Sequence, residues 1–368
     1  MRIRATCIAI ALSACFLARG EQPEHQHFNL ETSDRFTSVF VSDLQLESLK
    51  EAVKARQPPA FDAFQSLLEF ADDNLDREAR VLKEWYVPGF YVDAEGHRTA
   101  KNGLRDDANA AYALALSYRM TGQVKYARSA VSLIDAWVRG VEKMDRADDS
   151  MLSFSYHFPA FIFAADLLRD EEVWPKDQQA AFIEFLRDKA LPMNTMHVAN
   201  NWGNWGLVLA ASCAVYLKEE QLFDQCVERW KYFIGHQIAG DGHLPHEVHR
   251  SEGQRGIWYS HFSLMPQTIA AEILSVNGID LYDYRAPGGS TLKQAFERIA
   301  QWTSEPESFP YWKGDPGKLM GVRYFSYFEI LNARWPNDAA TGLLMDSRPM
   351  TANHSAPFLT FTHGRALQ

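Results

Sequence analysis

Runs of apolar residues at helical spacing follow one another along almost the whole chain. One run has apolar residues at positions i, i+3, i+4 and i+7, which form one face of a helix: Phe64, Leu67, Leu68 and Ala71. No stretch alternates apolar and polar residues long enough to predict a convincing strand, and residues 358–361 are the one strand-like piece. The pattern therefore predicts an all-α fold.

The predicted helices are joined by short connections. Ser42 and Asp43 form a plausible cap before the first helix, and Gly122 is a natural helix stop. Besides a run that begins after Pro59, we predict helices over residues 44–56, 106–120, 124–141, 158–168, 177–190, 205–217, 222–237, 258–276, 292–302 and 323–332. Beyond residue 347 the helical pattern fades.

Roughly ten to twelve helices without a low-complexity linker predict one domain of stacked antiparallel hairpins. Such hairpins form either an open solenoid or a closed α/α toroid. A solenoid would show a fixed sequence period, and none of the usual periods recurs here. We therefore predict an incomplete α/α toroid, or barrel, as a single domain over residues 21–368, with loops at one end forming a groove.

The first residues have the composition of an export signal. Arg2 and Arg4 precede an almost wholly apolar stretch, and small residues then predict cleavage that removes residues 1–20. The alternative is a bacterial lipobox, in which residues 1–14 are removed and Cys15 becomes lipidated. We expect an exported protein, either periplasmic or secreted, or else an outer-membrane lipoprotein anchored at Cys15.

The charge balance excludes one class of partner. The chain has 37 Lys+Arg and 47 Asp+Glu, a formal net charge of −10, whereas nucleic-acid-binding proteins carry a basic footprint. After the N-terminal segment, no apolar run approaches the roughly 20 residues of a membrane span. We therefore expect no nucleic-acid partner and no membrane span, and we expect a monomer.

Two cysteines remain beyond the export signal, Cys213 and Cys226. An oxidising compartment would permit a disulfide between them. Two free thiols buried on neighbouring helices are an equally good interpretation, since the pairing depends on coordinates. In either case the fold is not a disulfide-stapled scaffold.

Residues 199–206, Ala-Asn-Asn-Trp-Gly-Asn-Trp-Gly, place polar and aromatic side chains at the start of an apolar helix. Asn and Gly are poor helix formers. A helix cap explains one Asn, but not three Asn interleaved with two Trp. We therefore predict that Asn200 and Asn201 donate hydrogen bonds to a ligand on which Trp202 and Trp205 stack.

A second segment, residues 243–261, contains four His, two Arg and one Tyr in an otherwise acidic protein. His243, His246 and His249 recur every three residues. Zinc proteases place two His four residues apart on a helix. Here the His residues are three apart, and Pro245 interrupts the segment. We predict no metal and no cofactor, so the segment either lines a binding site or is a loop of solvated histidines.

Together the two segments resemble the alginate-lyase superfamily of polysaccharide lyases, in particular polysaccharide lyase families 5 and 38. The matching motifs are Asn-Asn-x-x-x-Trp at 200–205 and Leu-Pro-x-Glu-x-x-Arg…Tyr-x-His-Phe at 244–262. The similarity runs from about Asp106 to Gly278 and extends toward Asn332. It includes the Ala-Leu-Ala-Leu-Ser-Tyr-Arg-Met-Thr-Gly hairpin and the helix that carries Trp137. Since members of this superfamily resemble one another in having an α/α toroid, the resemblance implies the same fold.

The resemblance also implies roles for individual residues. In that family Asn, His and Arg side chains neutralise the uronate carboxylate, and a Tyr serves as base, acid or both. The Asn falls on Asn201, the Arg on Arg250 or Arg255, and the Tyr on Tyr259. An aromatic side chain, Trp202, stands where the best-known alginate lyases have a His.

The departure at Trp202, and a slightly longer spacing from Arg250 to Tyr259, point toward relatives that include glucuronan lyases. His249 or His197 are the candidates to supply the missing imidazole. The predicted catalytic residues are Tyr259, Asn201, Arg250 and His249.

These residue types suit β-elimination. When the carbon next to the uronate carboxylate loses its proton, a second negative charge develops beside the first. Amide and guanidinium groups that donate hydrogen bonds to the carboxylate stabilise this charge and lower the activation barrier by several kcal/mol. Tyr has an ordinary pKa of about 10, so Tyr259 is a poor base unless neighbouring cations favour the phenolate. Arg250, Arg255 and His249 are the nearby candidates for that task.

Further sugar contacts are expected at helix ends and in loops. The predicted substrate-binding residues are Asn200, Trp202, Trp205, Arg255, Trp258, His261, Tyr156, His157, Arg323 and Tyr324. Trp85, Tyr86 and Tyr91 are additional aromatic candidates for the groove.

The leading hypothesis is an exported lyase that cleaves a polyuronate, alginate or glucuronan, with this anionic polysaccharide as its partner. A glycoside hydrolase is the first alternative. It needs two opposed carboxylates, for which the candidates are Asp106, Asp107, Asp148, Asp149, Glu247 and Glu252. The second alternative is a non-catalytic glycan-binding lipoprotein at the cell surface.

Overall fold

The computed structural model describes residues 36–321, 324–351 and 354–367. The predicted export signal, with its alternative lipid site at Cys15, lies outside the described residues. Arg323, a predicted substrate contact, lies outside them as well. These predictions therefore stay predictions.

Helices account for most of the described chain. The α-helices are α1 (Asp43–Lys54), α2 (Ala60–Asp73), α3 (Ala94–Thr121), α4 (Val124–Gly140), α5 (Ser150–His157), α6 (Pro159–Leu167), α7 (Lys176–Phe185), α8 (Asn201–Leu217), α9 (Glu220–Gln237), α10 (Gly256–Val276), α11 (Leu292–Ser304), α12 (Phe328–Arg334), α13 (Asp338–Ser347) and α14 (Leu359–His363). A π-helix and four 3₁₀ turns span Leu186–Ala190, Leu191–Met193, Arg250–Gly253, Pro306–Ser308 and Pro316–Lys318. Two short strands, β1 (Glu84–Trp85) and β2 (Lys143–Met144), pair in parallel.

The helices pack in two layers. In the inner layer α6 contacts both α3 and α8, and α8 contacts α10. Nearly every residue of α6, α8 and α10 is buried, as expected for helices that are apolar on all sides. The amphipathic helices α4, α9 and α11 cover α3, α8 and α10 from outside. This arrangement of inner and outer helices confirms the predicted all-α, α/α-toroid class.

The ends of the chain's described part pack together. The C-terminal helix α14 contacts α2 and α12. The prediction of a strand-like piece at residues 358–361 is wrong, because α14 begins at Leu359 and is buried. A short apolar run that is buried on all sides has no periodicity that separates a helix from a strand.

The sequence pattern did not predict the first twelve residues of α3. The helix begins at Ala94, twelve residues before the predicted start at residue 106. Asp93 caps it by accepting a hydrogen bond from the Gly96 backbone N–H at 2.8 Å. Gly96 and Gly103 have low helix propensity and hid these turns. Helices α5 and α13 were also not predicted.

Cys213 on α8 and Cys226 on α9 are free, buried thiols. Of the two interpretations left open by the sequence, the structure has the free thiols. Burial raises the pKa of both. Among the described residues, no helix combines the length and apolar character needed to cross a membrane.

Candidate active site

A cavity of about 470 Å³ opens where the N-terminal parts of α3, α8 and α10 meet. Its lining residues are Phe90, Tyr91, His97, Arg98, Lys101, Asp149, Leu152, Tyr156, Asn201, Trp202, Arg250, Arg255, Trp258, Tyr259, Phe262, Met320, Tyr324 and His354. Four of these carry a basic side chain that is charged at neutral pH, and one carries a carboxylate. The cavity is therefore cationic, although the chain as a whole is acidic.

The cavity collects most of the polar residues that the sequence singled out. Those predicted site residues that line it are Asn201, Trp202, Arg250, Arg255, Trp258, Tyr259, Tyr156 and Tyr324. A larger cleft of about 850 Å³ lies between α1, α2, α12 and the C-terminal segment, and none of the predicted site residues lines it. The site is thus identified by its chemistry and not by its size.

Tyr259 lies on the first turn of α10 and faces Tyr91. The two hydroxyl groups are 2.7 Å apart. The Arg250 guanidinium lies 4.8 Å from the centre of the Tyr259 ring. Burial, followed by the hydrogen bond with Tyr91, raises the pKa of Tyr259, and the opposing charges of Arg250 and Arg255 do not reverse this. The expected cationic activation is therefore outweighed, and the phenol keeps its proton at neutral pH in this structure.

Asn201, on the first turn of α8, is held by a buried carboxylate. Its Nδ2 donates to both carboxylate oxygens of Glu247, at 2.9 and 3.0 Å. The Arg250 Nε donates to the same carboxylate at 3.3 Å. Burial raises the pKa of Glu247, although Asn201 and Arg250 both act to lower it. Because a carboxylate accepts hydrogen bonds, Glu247 fixes the orientation of the Asn201 amide and couples it to Arg250.

The segment between the two arginines has a strained backbone. Ser251 and Glu252 have φ of 51° and 57°, and Gly253 has φ of 97°. A Cβ on Gly253 would lie 2.0 Å from the Tyr311 carbonyl oxygen, so only glycine fits there. Backbone strain of this kind concentrates at functional sites.

The 199–206 segment divides into structural and cavity-facing residues. Asn200 caps α8 by accepting a hydrogen bond from the Trp202 backbone N–H at 3.0 Å, and Asn204 accepts one from Ser263 at 2.8 Å. A Cβ on Gly206 would lie 2.4 Å from the backbone of the preceding loop. Capping and close packing therefore account for part of the pattern, and Asn201 and Trp202 remain as the members that line the cavity.

Three side chains predicted to contact the substrate lie in the core instead. Trp205 is fully buried and packs against Tyr156 at a ring distance of 5.8 Å. His261 is fully buried, with Nδ1 2.9 Å from the Tyr327 hydroxyl and Nε2 2.8 Å from the Thr303 hydroxyl. His157 is buried as well and is not among the lining residues. Their positions on apolar helices decide this, since each points to the packed interior.

The candidate imidazoles for the missing His do not reach the cavity. His249 is exposed and packs edge-on against Tyr311 at 5.0 Å. His197 is exposed, and its carbonyl accepts a hydrogen bond from Arg229 at 2.7 Å. Neither is among the residues that line the cavity, so this geometry does not support the catalytic role predicted for His249, which stays a prediction. The histidines that do line it are His97 and His354.

Sequence reasoning also missed the α3 face of the cavity. His97, Arg98 and Lys101 lie on the turns of α3 that were not predicted. Their i, i+1, i+4 spacing on one helix was the available signal. Of the aromatic candidates, Tyr91 lines the cavity, Trp85 is fully buried, and Tyr86 hydrogen-bonds Asp148 at the surface.

The loop that carries Tyr91 is anchored by Asp149. The Asp149 carboxylate accepts a hydrogen bond from the Phe90 backbone N–H at 2.8 Å and lies 3.2 Å from His97 Nδ1. The same His97 nitrogen lies 3.0 Å from the Pro88 carbonyl oxygen. These contacts fix the loop against α3 and α5, and they occupy the one carboxylate of the cavity lining. Within the described ranges, no three His, Cys, Asp or Glu side chains come together as metal ligands would.

The model of the alginate lyase family matches residues 61–309, which is more than half of the chain. The chain belongs to the alginate lyase family. Two curated alginate lyases, from Pseudomonas fluorescens strain SBW25 and from Pseudomonas fluorescens, are each 31% identical over 119 residues. This match covers 32% of this chain and 30% of the length of those relatives.

Solved structures of alginate lyases have the same fold. Alginate lyase A1-III from Sphingomonas species A1 aligns with a TM-score of 0.71 at 18% identity, covering 94% of this chain and 100% of that one. A histidine-to-alanine variant of A1-III complexed with a tetrasaccharide aligns with a TM-score of 0.73 at 19% identity, over 91% and 100% of the two chains. An alginate lyase from Bacteroides ovatus aligns with a TM-score of 0.66 at 18% identity, over 89% and 99%. The family and the fold are therefore confirmed, and the catalytic roles of individual residues stay predictions.

Proposed function

We propose that this protein is a polysaccharide lyase that cleaves a polyuronate by β-elimination. The observation that carries the proposal is the placing of the Tyr259 hydroxyl in one cationic cavity with Arg250, Arg255 and Asn201. Membership of the alginate lyase family supports it. So does the alginate lyase A1-III structure that holds a tetrasaccharide.

In the proposed reaction, the uronate carboxylate lies against Arg250 and the Asn201 amide. Both are hydrogen-bond donors held in advance by Glu247, so little reorganisation is needed when charge develops. As the proton on C5 leaves, the negative charge that spreads onto the carboxylate meets these donors. Neutralising this charge is the largest contribution that we assign to the site.

Tyr259 is the proposed proton-transfer group. Its deprotonated oxygen takes the proton from C5, and the C–H electron pair becomes the C4–C5 double bond. The bond from C4 to the glycosidic oxygen breaks, and the leaving oxygen receives a proton from the Tyr259 hydroxyl. Tyr91, whose hydroxyl touches that of Tyr259 and which is exposed, offers the route by which the first phenolic proton reaches solvent.

One phenol can act as base and acid when the C5 proton and the C4 oxygen lie on the same face of the sugar. Mannuronate, a component of alginate, and glucuronate share this configuration, whereas guluronate has the opposite configuration at C5. We therefore propose alginate, at its mannuronate residues, as the first substrate and glucuronan as the second. Trp202, at the position where the best-known relatives have His, is the reason to keep glucuronan.

The cavity does not favour a glycoside hydrolase. That mechanism needs an opposed pair of carboxylates. Among the described lining residues Asp149 is the one carboxylate, and it is engaged by Phe90 and His97. Glu247 is buried behind Asn201, and Asp106 and Asp107 are paired with arginines.

The expectations about location and assembly complete the proposal. We propose that the enzyme acts after export, in the periplasm or outside the cell, as a monomer. Anchoring through a lipid on Cys15 is the alternative form. Mass spectrometry of the mature N-terminus from the native host separates cleavage after residue 20 from a lipidated Cys15.

The function is tested by incubating the protein with mannuronate-rich alginate, guluronate-rich alginate and glucuronan. β-Elimination leaves an unsaturated end that absorbs ultraviolet light. We expect such ends from mannuronate-rich alginate and from glucuronan. Saturated reducing ends would support a hydrolase, and unchanged chain length with retained binding would support a glycan-binding protein.

A further inference from the structure

The α3 side of the cavity carries two cations that have no partner. Arg98 and Lys101 are three residues apart on α3 and both line the cavity. Like charges at this spacing repel each other. In the described part of the chain neither forms an ion pair, and the polar contact of Lys101 is the Asn102 side-chain oxygen at 3.3 Å. The charges of these two side chains are therefore not neutralised by the described part of the protein.

Asp106, five residues after Lys101 on the same helix, is not available to them. Asp106 is held by Arg105 at 2.6 Å and also pairs with Arg80. Lys101 is half-buried, and burial, followed by the charge of Arg105, lowers its pKa to about 8. An unpaired, partly desolvated cation is costly unless a ligand supplies the opposite charge.

His354 provides a second and independent observation at the same wall. It is 7% exposed and lines the cavity, enclosed by aromatic rings. The enclosing rings, at centre distances of 5.3 to 5.7 Å, belong to Tyr156, Trp205, Tyr324 and Phe262. Its Nδ1 is buried with no hydrogen-bond partner in the described structure. The enclosed Nδ1 is out of reach of a ligand, so the edge of the ring that carries Nε2 is the part that can contact one in the cavity.

The imidazole and the two cations line the same cavity. Burial and then the charge of Lys101 lower the pKa of His354 to about 3, so the ring is neutral. A neutral imidazole has one N–H to donate to an oxygen. The wall therefore combines two cations with a neutral donor, which is the donor set that a carboxylate takes.

We propose that Arg98, Lys101 and His354 form a second carboxylate subsite, which binds the uronate next to the one that reacts at Tyr259. The inference rests on the proposed function. Arg250 and Arg255 come from the segment before α10, whereas this group comes from α3 and the C-terminal segment. Two separate cationic groups match a polymer that carries a carboxylate on every sugar. The enzyme then selects runs of consecutive uronates over polymers in which a uronate alternates with a neutral sugar.

The test compares KM and kcat for wild type, Lys101→Gln, Lys101→Arg and His354→Gln on a homopolymeric uronate. Lys176→Gln is the matched control, because Lys176 is 77% exposed and lies away from the cavity. We expect Lys101→Gln to raise KM about tenfold with kcat within about threefold, since a charge-assisted contact to the bound substrate is lost. Lys101→Arg restores KM, His354→Gln raises KM by about threefold to tenfold, and Lys176→Gln changes nothing.

A second substrate distinguishes loss of a specific carboxylate contact from a general weakening of the attraction between the cavity and an anionic polymer. On a polymer in which uronate alternates with a neutral sugar, wild type should bind more weakly, and Lys101→Gln should add no further loss. Equal KM for wild type and Lys101→Gln on the homopolymer would overturn the subsite while leaving the lyase function intact. Thermal unfolding of each variant checks folding, and if Lys101→Gln does not fold, His354→Gln and Lys101→Arg decide.

If wild type releases no unsaturated ends from any polyuronate, the proposed function has failed. The subsite is then judged by calorimetry with a saturated uronate tetrasaccharide. Weaker binding by Lys101→Gln than by Lys176→Gln would uphold the anion subsite, and equal binding by both would refute it.

Discussion

The hydroxyl group of Tyr259, on α10, lies 2.7 Å from that of Tyr91, on the loop before α3. Tyr259 is half-buried, whereas Tyr91 is 70% exposed. The contact joins the proposed proton-transfer group to solvent. It also raises the pKa of Tyr259, after burial, because the hydrogen bond favours the neutral phenol.

Replacing Tyr91 by Phe removes that hydrogen bond and should lower the pKa of Tyr259. In the plot of kcat/KM against pH, the limb that reports the ionisation of Tyr259 should therefore move to lower pH. The activity at the optimum should fall, because the route of the proton to solvent is lost. The profile is measured on alginate from the rate of ultraviolet absorbance. A limb that stays in place, or moves to higher pH, would contradict the assigned contact.

Glu247 is expected to act by positioning other groups. Glu247→Gln leaves a side chain that cannot accept from both Asn201 and Arg250 as a carboxylate does. We expect kcat/KM to fall by roughly 10- to 100-fold, as for a small misplacement of reacting groups. Steady-state kinetics on the preferred polyuronate measures this. Complete loss of activity in Glu247→Gln, with Tyr259→Phe fully active, would favour the hydrolase mechanism.

The same variant has a pH-dependent effect on stability. Burial raises the pKa of Glu247 in the folded state, so the unfolded chain releases this proton at lower pH. Glu247 therefore stabilises the folded protein at pH values below the ordinary carboxyl pKa. This stabilisation is lost as the pH rises through the raised pKa of the folded state. The difference in Tm between Glu247→Gln and wild type should therefore move in favour of the variant across that range. A difference that is independent of pH would contradict the raised pKa.

His261 and His249 make a matched pair of substitutions. His261 is buried with both ring nitrogens paired, so His261→Ala should lower the free energy of unfolding by about 2–4 kcal/mol. His249 is exposed, so His249→Ala should change it by less than about 0.5 kcal/mol and leave KM unchanged. Denaturant unfolding and kinetics measure both. Loss of activity in a well-folded His249→Ala would restore the catalytic role first predicted for it.

The thiols offer a direct test of the core. Cys213 and Cys226 are buried and free, and burial raises the pKa of each. Because the thiolate is the reactive form, neither should react with a thiol reagent until the protein unfolds. Counting reactive thiols in native and denatured protein measures this. If the denatured protein gains no reactive thiols from this pair unless a reductant is added, the two form a disulfide.

The sequence carried enough information for the fold class because the apolar periodicity of α2 and the later helices is local. It failed at α3, where Gly96 and Gly103 lower the helix propensity while tertiary packing keeps the helix intact. It also failed at α14, where burial on all sides removes the periodicity. Both failures have the same origin, since packing by distant parts of the chain overrides local preference.

The site was predictable where its residues lie within one motif. Asn201, Arg250 and Tyr259 follow from two short segments, and the structure brings them to one cavity. Lys101 and His354 come from distant parts of the chain, so no local pattern joins them. Trp205 lies one turn further along α8 than Asn201, where the helix is enclosed by the core. His261 lies two positions from Tyr259 on α10 and therefore faces a different direction, into the core.

The central claim is that the Tyr259 hydroxyl carries out proton transfer in β-elimination. It is tested most directly by adding wild type and Tyr259→Phe, matched for circular dichroism and Tm, to mannuronate-rich alginate and to glucuronan. We predict that wild type produces unsaturated, ultraviolet-absorbing ends from at least one of them, and that Tyr259→Phe binds the polymer but produces none. Unsaturated ends released by Tyr259→Phe at the wild-type rate would contradict the account.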